Sequence, residues 1–234
     1  MRINDTFLKY LGIVLLFLSC TKAPVKREVV DIEHFPMNFK VGEFYSTMKS
    51  AAKDTLYENA SGDRFTGTPF AFQYIMPKFT KDTLAYFGKM NFESIEMVEN
   101  LKGEFMSLFA FNESKGKENF QQLLSYMESK YGKAKMAEGY NFSQFFTYTW
   151  NLKDRELVLL VIGKEDDYIS SWLGIKTGAE HQPKDPTKLP VLITNVFVFN
   201  KKFDKSLTIS KVKSGDFLHL EPESFSSMYL ETRH

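Results

Sequence analysis

From Pro69 the chain alternates. Phe70, Phe72, Tyr74 and Met76 fall on one side of an extended segment and Ala71, Gln73 and Ile75 on the other, a period of two that predicts a strand closed by Pro77. Ahead of it the period is helical: Phe44, Thr47, Met48 and Ala51 share one face, which predicts a helix ending before the turn formers Asn59-Ala60-Ser61-Gly62-Asp63. A further extended run spans Thr83 to Met90. Glu93 to Leu101 fits a strand, because Asn100-Leu101-Lys102-Gly103 has Asn first and Gly last, as a type I turn prefers, and Glu104 to Phe111 is strongly strand-like. The two form a predicted hairpin.

The clearest helix runs from Lys117 to Tyr131, where Phe120, Leu123, Leu124, Met127 and Tyr131 make a continuous apolar stripe. Glu118 and Lys130 suit the two ends of its dipole, and Gly132 is the expected left-handed stop. Gln144 to Trp150 and Leu157 to Ile162 read as a hairpin with a charged tip, and six consecutive apolar residues place the second strand at the centre of a sheet, covered on both faces. Tyr168 to Lys176 reads as a neighbouring strand. A loop from Gly178 to Pro190 separates it from a strand at Val191 to Phe199, and Phe217 to Leu220 and Phe225 to Leu230 are apolar pieces without a place.

Helix, strands, helix, strands: the architecture that buries all these stripes is an α+β fold, an antiparallel β-sheet with two amphipathic helices packed on one face. The order hints at two related halves, 38–112 and 113–200, inside a domain spanning 38–200, with 201–234 as a C-terminal extension. A chain with 43% hydrophobic residues, 23 of them Phe, has ample material for a core. Its formal charge is +1, and removing residues 1–19 with Arg2, Lys9 and Asp5 leaves acidic and basic side chains equal in number. No field draws in nucleic acid, and no nucleic-acid partner is expected.

The N-terminus changes the picture most. Arg2 and Lys9 precede the apolar run Tyr10-Leu11-Gly12-Ile13-Val14-Leu15-Leu16-Phe17-Leu18, then Ser19, then Cys20, the single cysteine of the chain. That is the layout of a secretory signal, and the run falls short of the ~20 residues that cross a bilayer. The residues around Cys20 resemble the lipobox of bacterial lipoproteins processed by signal peptidase II. The resemblance covers residues 1–20 and implies removal of residues 1–19 as a signal peptide, a diacylglycerol on the Cys20 sulfur and acylation of its amine. Two or three acyl chains hold a protein stably on a bilayer. Residues 20–37 are then the lipidated Cys and a tether. Thr21, standing where aspartate marks inner-membrane retention in some bacteria, favours the outer membrane if the cell has two. Plain secretion is the competing reading.

Catalytic motifs are absent: no His-Glu-x-x-His, no Gly-x-Ser-x-Gly, no phosphate loop, no Cys-x-x-Cys. No cofactor, metal or catalytic residue is expected. His34 falls in the tether, His181 in the Pro-rich loop and His234 at the end, while His219 alternates with leucines and reads as a structural histidine. Glu165-Asp166-Asp167 lacks the spaced oxygens of a calcium loop and reads as a solvated turn. Trp150 and Trp172, both in predicted strands, are the candidate contacts for a partner if exposed and core if buried. The sequence therefore points to a membrane-anchored lipoprotein of the cell envelope whose non-enzymatic domain binds a protein or small-molecule ligand. The alternatives are an immunity or inhibitor lipoprotein that neutralises a toxin or enzyme, and an envelope hydrolase.

Overall fold

Backbone polar groups in extended chain need a neighbour, and the alternating runs supply one another. The structure is a computed structural model and describes residues 29–46, 48, 51–59, 67–76, 83–141, 143–164, 169–176, 187–205 and 231–232. In chain order the elements are β1 Val30–Asp31, α1 Val41–Ser46, β2 Ala52–Asn59, β3 Gly67–Ile75, β4 Ala85–Phe87, β5 Met90–Phe92, β6 Ser94–Asn100 and β7 Phe105–Lys115. There follow α2 Glu118–Tyr131, β8 Lys135–Asn141, β9 Ser143–Asn151, β10 Arg155–Gly163, α3 Ser170–Leu173, β11 Val191–Asn200 and β12 Glu231–Thr232. Among the described residues, nine strands form one sheet in the order β12-β8-β9-β10-β11-β7-β6-β3-β2, every pair antiparallel. A small sheet, β1-β4-β5, pairs β1 parallel with β4.

The strand order is a palindrome about the β7–β11 seam: β6, β3 and β2 step outward on one side, β10, β9 and β8 on the other. Each set of four is a meander preceded by a helix. The break between the sets falls after Lys115, a little beyond the expected 112, because β7 stays paired to Val191. Along the seam Ala110 faces Val196 and Phe109 faces Phe197. The strand expected at the centre, β10, lies between β9 and β11 and is buried from Leu157 through Val161.

One face of the large sheet carries the helices. Val41 and Tyr45 of α1, Phe120, Leu123 and Met127 of α2, and Phe87 and Phe92 of the small sheet share a cluster with Met97, Leu108, Leu159 and Val196. The expected α+β arrangement is what forms. The opposite face has its own cluster, in which Phe109 meets Phe197 edge-on at 5.2 Å and 86° and Phe199 at 5.9 Å and 81°.

Four expectations change. Residues 30–37 are not tether: Val30, Ile32 and Phe35 are buried, and Val30 N–H donates to the Leu84 carbonyl, so β1 is part of the fold. The first helix stops at Ser46, whose hydroxyl donates to the Glu43 carbonyl, and the chain from Ala52 pairs with β3 as an edge strand. Charged and exposed Lys53 and Asp54 lie along that edge, which discourages pairing with other chains. The segment expected as a strand at Tyr168 to Lys176 holds the short helix α3, closed at Gly174 (φ +71) and tied to β9 by Ser170 N–H donating to Gln144 Oε1 at 2.9 Å. β8 had no counterpart in the reading, since Lys, Ala, Glu and Gly are poor strand formers and only pairing with β9 makes it one.

The hairpins and α2 form as read. Asn100 Oδ1 accepts from the N–H groups of Lys102 and Glu104, and Gly103 N–H closes the turn on the Asn100 carbonyl. α2 ends at Gly132, whose φ is +83 and whose N–H donates to the Glu128 carbonyl.

Candidate functional site

The stripe that buries α2 leaves the opposite side of the helix polar, and Asn119, Gln122, Ser125 and Tyr126 stand on it, exposed. They do not all face open water. The turn between β4 and β5 rises beside them, and between the turn and the helix runs a groove of about 870 Å³. That size lies within the range of small-molecule sites. Phe87, Met90 and Leu123, all buried, provide its apolar lining.

Five amide side chains line the groove: Asn91, Asn112, Asn119, Gln121 and Gln122. Asn112 Nδ2 donates to the Asn91 carbonyl at 3.1 Å, which occupies the outward-facing backbone acceptor of β5. Asn112 Oδ1 is enclosed and has no donor. An unmet acceptor of this kind costs about 1–3 kcal/mol. The formal charges of the lining cancel, Lys89 against Glu118.

Tyr126 is the fixed aromatic of the groove. Its hydroxyl contacts both carboxylate oxygens of Glu33, at 2.9 and 3.0 Å, and Lys130 pairs with the same carboxylate, whose side chain is only 6% exposed. Phe87 meets the ring edge-on at 6.4 Å and 81°. Gly88, with φ +56, lies against it so closely that a Cβ there would be 2.8 Å from Tyr126 Cε1, so the turn needs glycine for its conformation and for room. The ring is held on several sides and still 38% exposed.

A second polar arrangement lies under α1. The Glu99 carboxylate, buried, accepts from Tyr74 hydroxyl at 2.7 Å and from Gly42 N–H at 3.1 Å. Burial and the Glu99 carboxylate hold the Tyr74 phenol well above its ordinary range. On the other face Gln73 donates to Glu96 at 2.8 Å. These groups fasten elements together.

The tryptophans read as partner contacts fare differently. Trp150 is 3% exposed, and its indole N–H donates to the Gly132 carbonyl at 2.8 Å, so it anchors the end of α2 and offers nothing to a partner. Trp172 is half-buried in α3 rather than in a strand, and its enclosed indole N–H has no acceptor. His34 is exposed and bonds Asp31 at 2.8 Å. Cys20, His181, His219, His234 and Glu165-Asp166-Asp167 lie outside the described residues. Among the described residues no three His, Cys, Asp or Glu side chains gather as a metal set, and no helix is long and apolar enough to cross a membrane.

Reading by period missed the groove because its amides are spread over β5, β7 and α2. One hint was present: Tyr126 is an aromatic on the polar side of an otherwise regular amphipathic helix. Comparison with known protein families, curated proteins and solved structures gives no match, so the chemistry of the groove is argued from its own residues.

Proposed function

We propose that the protein is a lipid-anchored binding protein of the bacterial cell envelope, held to a membrane through Cys20 and taking a ligand in the groove between the β4–β5 turn and α2. The observation that carries the binding half of this reading is the groove itself: an aromatic ring fixed in place beside several uncommitted amides. The anchoring half is supported by the run of residues up to Ser19-Cys20 and by the position of the fold relative to it. The first strand begins ten residues after Cys20, so the intervening chain reaches at most roughly 36 Å and keeps the groove close to the bilayer. The reading is of binding because the lining is dominated by amides, an aromatic and apolar side chains, the make-up of a recognition pocket. The test is metabolic labelling with a palmitate analogue. The native chain takes up label and sediments with membranes, while Cys20→Ser does neither and stays folded; an unlabelled native chain recovered with its initiator methionine overturns the anchor.

A further inference from the structure

We infer that the groove between the β4–β5 turn and α2 is a saccharide-binding site that takes an uncharged sugar chain. This rests on the reading of the groove as the ligand site and names the class of ligand. Its chemistry is selective. Amide side chains donate and accept at once, which matches hydroxyl groups that do the same and wastes no charge on a neutral partner. The five amides stand around a lining whose single cation and single anion, Lys89 and Glu118, cancel, so neither a phosphate nor an ammonium finds a net opposite charge.

The second element is the ring. A sugar presents a face of C–H groups that packs on the electron-rich face of an aromatic, and such a platform is most effective when it need not be ordered on binding. Tyr126 meets that condition. Its hydroxyl is fixed by Glu33, Phe87 meets it in a T-shaped pair and Gly88 lies against it, while the residue lines the groove and is 38% exposed. Asn112 only backs this wall, its Nδ2 committed to the Asn91 carbonyl and its Oδ1 enclosed, so the amides that meet a ligand are the exposed ones of α2, Asn119 and Gln122.

A peptide is the main competitor for amides, and the groove is poorly built for one. Extended peptides bind by adding a strand to an open edge. The edge at hand is β5, and its central outward carbonyl, that of Asn91, is already taken by Asn112 Nδ2. The remaining wall is a helix face, which has no backbone groups to offer.

The experiment is titration of the purified full chain with a panel of neutral oligosaccharides built from glucose, xylose, mannose and N-acetylglucosamine, followed by amide-resolved NMR and calorimetry. A second panel holds uronic-acid and sulfated chains, and a third holds unstructured peptides. At least one neutral chain shifts the side-chain amide signals of Asn119 and Gln122 at up to millimolar concentration. Tyr126→Ala and Asn119→Leu each weaken that binding at least tenfold, while Leu101→Ser, exposed on the β6–β7 turn, leaves it unchanged. Gln122→Leu, on an exposed helix position, guards against a variant that fails to fold and weakens binding as well. No binding by any neutral chain, a preference for the charged or peptide panel, or binding indifferent to Tyr126 and Asn119 overturns the proposal. Loss of palmitate label with intact sugar binding refutes the anchor alone, and the converse refutes the saccharide site alone.

Discussion

Two halves of this molecule follow one plan and are held by different forces. On each side of the β7–β11 seam a helix precedes a four-strand meander, yet α2 has 14 residues and α1 only 6. The long helix brings Phe120, Leu123 and Met127, exposed by 3% or less, into the core. The short one brings Val41 and Tyr45 and is otherwise fastened by Gly42 N–H on the Glu99 carboxylate, which Tyr74 also engages. Burial scales with apolar area, so a helix of fewer than two turns cannot rely on it alone and takes a directional bond in its place. The first half therefore trades tolerance for geometry.

The sharpest way to break the comparison is in the second half. Phe120 is 1% exposed and its ring lies 5.8 Å from that of Tyr148 on β9. Phe120→Ala removes the contact and leaves a cavity, and the expected loss is about 3–5 kcal/mol. Urea unfolding reads it as a lower midpoint with an unchanged slope. A loss below ~1 kcal/mol would mean that α2 is not held by its stripe.

In the first half the corresponding change is Glu99→Ala, which strands the Tyr74 hydroxyl and the Gly42 N–H. About 2–3 kcal/mol is expected, less than for Phe120→Ala, because no large apolar volume leaves with it. Glu99→Gln keeps one acceptor, for the Gly42 N–H, while its amide NH2 can only donate to the Tyr74 hydroxyl oxygen, and it recovers part of the loss. Hydrogen exchange sharpens the point: protection falls in α1 and β3 for Glu99→Ala, whereas in Phe120→Ala it falls throughout.

The same contrast explains what could be read from the chain. α2, the β6–β7 hairpin and the β9–β10 hairpin were legible because each is carried by its own side chains: a continuous stripe, an Asn-to-Gly turn, an unbroken apolar run. β2, β8 and the true extent of α1 were not, because each exists through a partner elsewhere. Ala52 to Asn59 is extended because β3 offers an edge, Lys135 to Asn141 because β9 does, and α1 is placed by a carboxylate 57 residues away. Trp150 shows the same limit at the level of one residue, since its burial comes from the core that the helices close over and its indole N–H finds an acceptor only in the Gly132 carbonyl at the end of α2. The groove was the least legible of all, being a space between three elements with no motif of its own.

Alkaline titration gives the smallest of these effects and tests both halves at once. Tyr74 on β3 and Tyr148 on β9 stand on the third strands out from the seam. Burial, with the Glu99 carboxylate, raises the Tyr74 phenol, and burial, with the Glu128 charge, raises that of Tyr148 to about 12. Tyr45, the buried tyrosine of α1, is raised by burial and by Glu96. In each case the folded chain keeps a proton that the unfolded chain gives up near pH 10, so the stabilisation is complete below pH 10 and lost as the pH climbs through the folded value. Stability is flat from pH 8 to about 9.5 and falls beyond it. Tyr74→Phe removes one proton from the difference and makes the fall shallower by at most about 1.4 kcal/mol per pH unit, while Tyr148→Phe acts in the same direction from the other half. Denaturant midpoints measured between pH 8 and 11 decide it. Equal slopes in native chain and Tyr74→Phe would show that the Tyr74 hydroxyl is not held by Glu99, and the directional bond assigned to the first half would have to be sought elsewhere.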